Sequence, residues 1–400
     1  MYSRYIHFNK YYKKICKHFL RLFLMSTNSL ATTEIQEKIK FWNTQKKGAN
    51  IFNRKVTLED VKAAKQYGIQ FLRIAPDKFV SAHRDFLMGN ADNYRGLIKE
   101  DLKVLKKIIA MCYKEKLPVV LTMLSLPGSR WKQNNQDRDD LRIWKKTTYQ
   151  LQAAQFWRDL AQELKNEPGI VGYNILNEPH PERIFRPKTV HINTVRQAEV
   201  QKILYNVYKR IIESIRTTDA YTPIMLDSSA YADAQTFRLL QPHKDKKLVY
   251  CLHIYEPYKY TNRQINKGRF KYPGRIEGKK WDKKALKNYF SEVIFFQKFY
   301  KIPSARILVG EFGAHRTCFG LEHYFQDLIS IFIQEGWHFA FYAFREDTWD
   351  GMDYELGTQR LPWRYWKALE QGKTVKLKRV STHPAFLIIK KALDASKSSH

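Results

Sequence analysis

The sequence predicts an α/β fold, a single (β/α)8 TIM barrel, on three observations. Eight short runs rich in apolar, β-branched and aromatic residues recur along the chain. Long amphipathic stretches separate most of them, and strands alternating with helices build right-handed βαβ units around a parallel sheet. Eight such units are the number that closes a barrel. An open doubly wound sheet is the alternative, but it announces itself with a glycine-rich first turn, and GxGxxG is absent.

The expected strands are residues 48–52 (GANIF), 71–76 (FLRIAP), 119–124 (VVLTML), 170–176 (IVGYNIL), 224–229 (IMLDSS), 248–255 (LVYCLHIY), 307–313 (ILVGEFG) and 338–344 (HFAFYAF). Between them, residues 58–68 place Leu58, Val61 and Ala64 at helical spacing, and Gly68 stops the pattern. Residues 102–116 put Leu102, Leu105, Ile109 and Cys112 on one face. Residues 153–169, 200–215, 321–336 and 381–396 behave in the same way. No linker interrupts the pattern, so residues 32–396 read as one catalytic-size domain behind a basic extension, residues 1–31. The basic stretch 259–284 is expected as a long loop after the sixth strand that shapes one wall of the barrel mouth.

Composition narrows the class. With 44% hydrophobic and 14% aromatic residues, the 400-residue chain carries enough apolar surface for a large core and is not a disordered protein. Seventy Lys and Arg against 39 Asp and Glu give a net charge of +31. That balance invites a nucleic-acid reading. The charges are scattered from Lys10 to Lys397, and no zinc-finger, RNP-type or P-loop pattern is present. No specific nucleic-acid partner is therefore expected, and a monomer is.

The N-terminus, MYSRYIHFNKYYKKICKHFLRLFLM, carries Arg4, Lys10, Lys13, Lys14, Lys17 and Arg21 and no acid. A short apolar stretch and small residues ending at Ala31 follow. This reads as a leader peptide, which makes the protein secreted or periplasmic, or as a basic extension of a cytoplasmic protein, with Met25 an alternative start. The apolar run is too short to span a bilayer, so no transmembrane segment is expected. The four cysteines (Cys16, Cys112, Cys251, Cys318) show no metal spacing, and Cys112 and Cys251 are expected to be buried thiols. No metal or cofactor is implied. Asp350, Asp353 and Glu355 (in DGMDYE) lack calcium-loop spacing and are assigned to hydrogen bonding within a loop.

In a (β/α)8 barrel the chemistry gathers where strands end and βα loops begin. The second strand supplies Arg73, the fourth Asn177 and Glu178, the sixth His253 and Tyr255, and the seventh Glu311; the eighth leads into Arg345, Glu346 and Trp349. A lone glutamate there is an ordinary core-exit residue. Two of them, each directly after a run that should be buried, are costly unless partnered. The Arg, His, Tyr and Asn nearby are groups that hydrogen-bond and tune carboxylates. Paired glutamates suit glycoside hydrolysis: one stays ionised to attack, the other keeps a proton for the leaving oxygen. Trp131 and Trp349 lie in loops where they can stack on sugars, whereas Trp157 and Trp337 fall on core patterns.

YNILNEP at the fourth strand, LHIYEPY at the sixth and ILVGEFG at the seventh resemble glycoside hydrolase family 5, the cellulase-type clan A retaining β-glycosidases. GANIF, FLRI, PGSRW and FREDTWDGMDYELG extend the resemblance over about residues 46–370. It implies Glu178 as acid/base and Glu311 as nucleophile. Asn177 would bind the sugar 2-hydroxyl, Arg73 and Tyr255 would hold Glu311, and His253 would line the same subsite. Two positions depart from the family pattern: Leu124 stands where many members carry His, and Tyr342 where many carry the Trp that floors the cleavage subsite. The resemblance implies a β-linked polysaccharide substrate and an endo-β-1,4-glucanase, with a β-mannanase or another β-glucanase as the nearest alternative. A non-catalytic carbohydrate- or polyanion-binding barrel is the distant one. A leader peptide ending at Ala31 predicts that N-terminal sequencing of the secreted protein begins at Thr32; a sequence beginning at Met1 or Met25 would contradict it.

Overall fold

The computed structural model describes residues 37–394, apart from 186–193, 372, 374 and 376. The N-terminal extension, its leader reading and Cys16 lie outside the described residues. Eight strands form the barrel: β1 (Lys47–Ile51), β2 (Leu72–Ile74), β3 (Val119–Thr122), β4 (Ile170–Asn174), β5 (Ile224–Asp227), β6 (Leu248–Ile254), β7 (Ile307–Phe312) and β8 (His338–Phe341). Each pairs with the next in parallel, and β8 returns to β1 through Gly48 opposite Ala340. Every strand is buried on both faces, which is why the runs read as continuously apolar and do not alternate.

The longer helices are α1 (Leu58–Gln66), α2 (Lys99–Lys114), α3 (Thr147–Leu164), α4 (Thr194–Arg216), α5 (Lys283–Tyr289), α6 (Ser291–Tyr300), α7 (Leu321–Glu335), α8 (Trp363–Glu370) and α9 (Pro384–Asp394). The entry to α1 is set locally: Thr57 and Asp60 form a reciprocal capping box. Periodicity does not reveal α6, because Phe295 and Phe299 are exposed and blur the apolar stripe, and α5 begins within the basic stretch read as a loop. The fifth unit departs from the (β/α)8 pattern. A 3-10 turn, Ala234–Leu239, replaces a long helix, and α6 packs on it through Phe296 against Phe237. The basic stretch after β6 is not one long loop. It folds into two single-turn helices and a hairpin, Gly274–Ile276 with Lys279–Trp281. No helix among the described residues is long and apolar enough to cross a membrane. Cys112, Cys251 and Cys318 are free and buried, as expected for the first two.

Side-chain alternation sorts the strands into an outer core under the helices and an inner core inside the barrel. On β6, Tyr250, Leu252 and Ile254 face out, while Val249 and Cys251 face in. Phe71 faces in just before β2, which puts Arg73, two residues on, inside the barrel near the mouth. The seventh strand breaks the rule. Ile307 and Val309 face out and Leu308 in, so strict alternation would turn Glu311 outward. Instead, Leu252 pairs with Val309 and His253 with Glu311, leaving Gly310 as an extra residue. This bulge resets the phase and brings Glu311 inside. Asn50 Nδ2 holds it by donating to the Gly310 carbonyl at 2.8 Å.

The opposite end of the barrel is plugged by Trp42, on the short helix Lys38–Asn43. It is fully buried against Phe71 and His338, with ring centroids 5.2 and 4.9 Å away. Its Nε1–H donates to the Val171 carbonyl at 2.8 Å. Trp42→Ala should cost about 3–5 kcal/mol of unfolding free energy, read from urea denaturation, because the barrel floor has no side chain to fill the gap.

Candidate active site

Arg73 organises the mouth. It is 1% exposed, and its donors are shared among four elements. Nη1 donates to Glu311 Oε1 at 2.6 Å and to Asn50 Oδ1 at 2.9 Å; Nη2 donates to Asn174 Oδ1 at 2.6 Å and Asn177 Oδ1 at 2.5 Å. Tyr255, just past the end of β6, donates its hydroxyl to Glu311 Oε2 at 2.7 Å. Both oxygens of Glu311 therefore accept strong hydrogen bonds. Burial by itself raises the Glu311 pKa, but the charges of His253 and Arg73 and the Tyr255 hydroxyl outweigh it, and the carboxyl titrates below the usual range.

Glu178 stands on the opposite side. β4 ends at Asn174, two residues before the end of the expected run, and the chain turns sharply at the mouth. Glu178 has φ +50°, in the left-handed region, although it precedes a proline. Such a backbone persists where surrounding bonds hold it. Here the Glu178 N–H donates to Asp227 Oδ2 at 3.0 Å, and Asn177 N–H donates to the Met123 carbonyl at 2.8 Å. The side chain keeps 31% of its surface open to the cleft. Its Oε1 lies 2.9 Å from His253 Nδ1, so one proton bridges the pair. Burial, then the negative Glu311 and Asp227, raise the Glu178 pKa against the opposing pull of His253. His253 is buried, which lowers its own pKa, but Glu311, Glu178 and Asp227 more than reverse this.

A carboxylate oxygen of Glu178, one of Glu311 and a ring nitrogen of His253 lie within 4.8 Å of one another. Three atoms so placed are also candidate metal ligands. Both oxygens of Glu311, however, are engaged by Arg73 and Tyr255 and Glu178 Oε1 by His253, and a cation here would sit beside the buried guanidinium. The arrangement fits proton and carboxylate chemistry better.

The cavity above the pair has a volume of about 930 Å³ and is lined by Tyr231, Tyr255, Tyr342 and Trp349, among others. Trp349 is 42% exposed at its edge. Tyr342 forms part of the floor, packed edge-on against Phe52 at 5.4 Å. Trp131 is not among the residues lining this cavity; it packs, like Tyr342, on a small apolar cluster of Phe52, Ala75 and Leu124. Leu124 thus fits that cluster, where a histidine would need polar partners. Lys78 Nζ sits 4.1 Å over the Trp131 ring. Thr261, Asn262, Arg263 and Gln264 line the cavity, so the start of the basic stretch does form a wall. Arg345 leaves the site and pairs with Glu355 at 2.7 Å. Asp350 and Asp353 pair with Arg316 and Arg379, in keeping with a loop-bracing role. Trp157 and Trp337 are buried core residues.

Three site residues escape the sequence reading. Asp227, fully buried at the end of β5, accepts from Asn174 Nδ2 at 2.8 Å as well as from Glu178 N–H. Asn50 and Asn174 complete the shell around Arg73. Asp227 was open to the strand-end rule that found Glu178, since it follows the apolar run IML. Glu346, named only as following β8, is buried beside Tyr342, and burial lifts its pKa to about 7.

Residues 31–347 match the sequence pattern of the cellulase family, glycosyl hydrolase family 5. Endoglucanase C of Acetivibrio thermocellus is 23% identical over 236 residues, 57% of this chain and 60% of its own length. A β-xylosidase of Phanerodontia chrysosporium is 25% identical over 199 residues, 46% of this chain and 38% of its own. These alignments thus span about 60% or less of the curated relatives. Among solved structures, endoglucanase Cel5A of Thermotoga maritima shares the fold, with a TM-score of 0.60 at 17% identity, over 90% of this chain and 99% of that one. Because the match runs through all eight barrel strands and is not confined to one motif, the chain belongs to glycosyl hydrolase family 5.

Proposed function

We propose that the protein hydrolyses β-glycosidic bonds in a polysaccharide with retention of configuration, and that it is an endo-β-1,4-glucanase. One observation carries the mechanism: two carboxyl groups close enough for oxygens within 4.8 Å, in environments that push their pKa values apart. Retaining enzymes hold their carboxyls about 5–5.5 Å apart, inverting ones about 6.5–9.5 Å. Glu311, ionised and aimed by Arg73 and Tyr255, attacks the anomeric carbon. Glu178 gives its proton to the departing oxygen. Glu178, now ionised and bridged to His253, then takes a proton from water as that water cleaves the glycosyl ester and frees Glu311. Asn177, its side-chain oxygen held by Arg73, is the amide assigned to the substrate hydroxyl beside the reacting carbon.

The glucan reading draws on the endoglucanase relatives. A β-mannan is the nearest alternative: Tyr342 in place of a tryptophan reshapes the floor, and Thermotoga maritima Cel5A has been crystallised with mannotriose. Despite the net charge of +31, four acids, Glu178, Asp233, Glu256 and Glu311, line the cavity together with Arg263.

Glu178→Gln and Glu311→Gln should each lower kcat/KM on soluble glucan by about 10³-fold or more while the fold is kept. On an aryl glycoside with a good leaving group, Glu178→Gln should retain the first step and stall in the second, giving a burst of released aryl alcohol. Full activity surviving in either variant would refute the mechanism. The pH profile of kcat/KM should be a bell. Glu311 must be ionised and has a lowered pKa, so activity is lost only as pH falls below the usual glutamate range. Glu178 must be protonated and has a raised pKa, so activity is lost as pH rises through it. Asp227→Asn removes a negative neighbour of Glu178 and should shift the alkaline limb to lower pH.

A further inference from the structure

Helix α8, with the sequence WRYWKALE, lies beyond the residues that match the family pattern. It carries two tryptophans one turn apart. Trp363 is 66% exposed and Trp366 41% exposed. Both rings are braced: Lys367 Nζ sits 4.9 Å over Trp363, and Tyr365 packs edge-on against Trp366 with centroids 5.0 Å apart. Residues at this spacing sit side by side on a helix, about 5–6 Å apart at Cβ. Exposed rings scattered singly are ordinary, but adjacent rings rimmed by polar groups form a patch of the kind found at interaction sites. Their neighbours narrow its chemistry. The other exposed residues of the helix are Arg364, Lys367 and Glu370, with no exposed aliphatic side chain among those described. Flat rings framed by hydrogen-bonding groups match the two-sided character of a sugar, with its apolar C–H faces and hydroxyl rim. Exposed Trp beside Arg also occurs at protein and membrane interfaces, so the choice of a sugar chain rests on how the helix is joined to the cleft.

The helix is also tied to the cleft. Arg316, 2% exposed, follows His315 of the cavity wall. It donates to the Asp350 carbonyl at 3.0 Å and to Asp350 Oδ2 at 2.5 Å, bracing the loop that bears Trp349. The same guanidinium donates to the Gly357 carbonyl at 2.7 Å and to that of Gln359, four residues before Trp363. One buried cation thus fastens the rim residue Trp349 to the segment that enters α8.

We propose that Trp363 and Trp366 form a second binding site for a β-linked polysaccharide, gripping the part of the chain that leaves the cleft past Trp349. This rests on reading the cleft as that of a polysaccharide hydrolase. The test uses affinity electrophoresis through soluble β-glucan in a Glu178→Gln background, so that the polymer survives. Adding Trp363→Ala and Trp366→Ala should weaken retardation about tenfold, and Tyr at both positions should restore most of it. With Glu178 intact, the Ala pair should lower kcat/KM on the polymer and leave hydrolysis of a short aryl cellobioside unchanged. Equal retardation with and without the tryptophans, in a wild type that hydrolyses the polymer, overturns this inference alone. So does a loss confined to self-association in sedimentation or to binding of anionic phospholipid vesicles. A wild type inert on short and polymeric β-glucans and β-mannans overturns the reading of the cleft, and this inference with it.

Discussion

A guanidinium enclosed by a barrel has no water to solvate it, and the mouth of this protein is arranged around that constraint. Arg73 finds its partners on β1, β4, the β4 loop and β7. A buried ion pair adds little net stability compared with well-packed apolar side chains, but removing one partner leaves an uncompensated charge that costs several kcal/mol. Arg73 therefore constrains position more than it adds stability. The strands that present Asn50, Asn174 and Glu311 must meet at one point, or the charge is left stranded.

The same cation separates the two glutamates chemically. Glu311 gains two strong donors and a neighbouring positive charge. Glu178, a few ångströms away, faces the negative side of that arrangement together with Asp227. Two carboxyls that would otherwise titrate alike are driven in opposite directions, as the proposed roles of acid and nucleophile require. His253 completes the circuit: it is hydrogen-bonded to Glu178, and Asp227 Oδ2 lies 3.7 Å from its other ring nitrogen.

Outside this rigid centre the mouth is built from aromatic surfaces on loops. Tyr231, Tyr342 and Trp349 line the cavity, and the α8 tryptophans follow a segment, Gly357 to Gln359, held by Arg316. The division is physically sensible. Bond cleavage needs atoms held to fractions of an ångström, which buried hydrogen bonds supply. Holding a polymer, the role proposed for these rings, needs area, which flat rings supply with little loss of side-chain freedom.

The strand-and-helix alternation, the barrel, and the pairing of Glu178 with Glu311 were legible in the sequence, because a strand buried on both faces must be apolar along its length and a polar residue at its end then stands out. Arg73, His253 and Tyr255 stood out for the same reason. The inward turn of Glu311 was not legible. Counting by twos from Leu308 points it out of the barrel, and only the bulge at Gly310, seen in the pairing with β6, reverses it. Asp227 and Asn50 became site residues only once distant strands closed on Arg73, and Trp42 became the floor plug only once a barrel existed to be plugged. Local sequence determines which residues must be buried and where a strand must stop. Which side chains then meet depends on register and closure, set by pairings between segments from 23 residues apart, as Ala49 with Leu72, to 292, as Lys47 with Phe339, and those only the folded barrel decides.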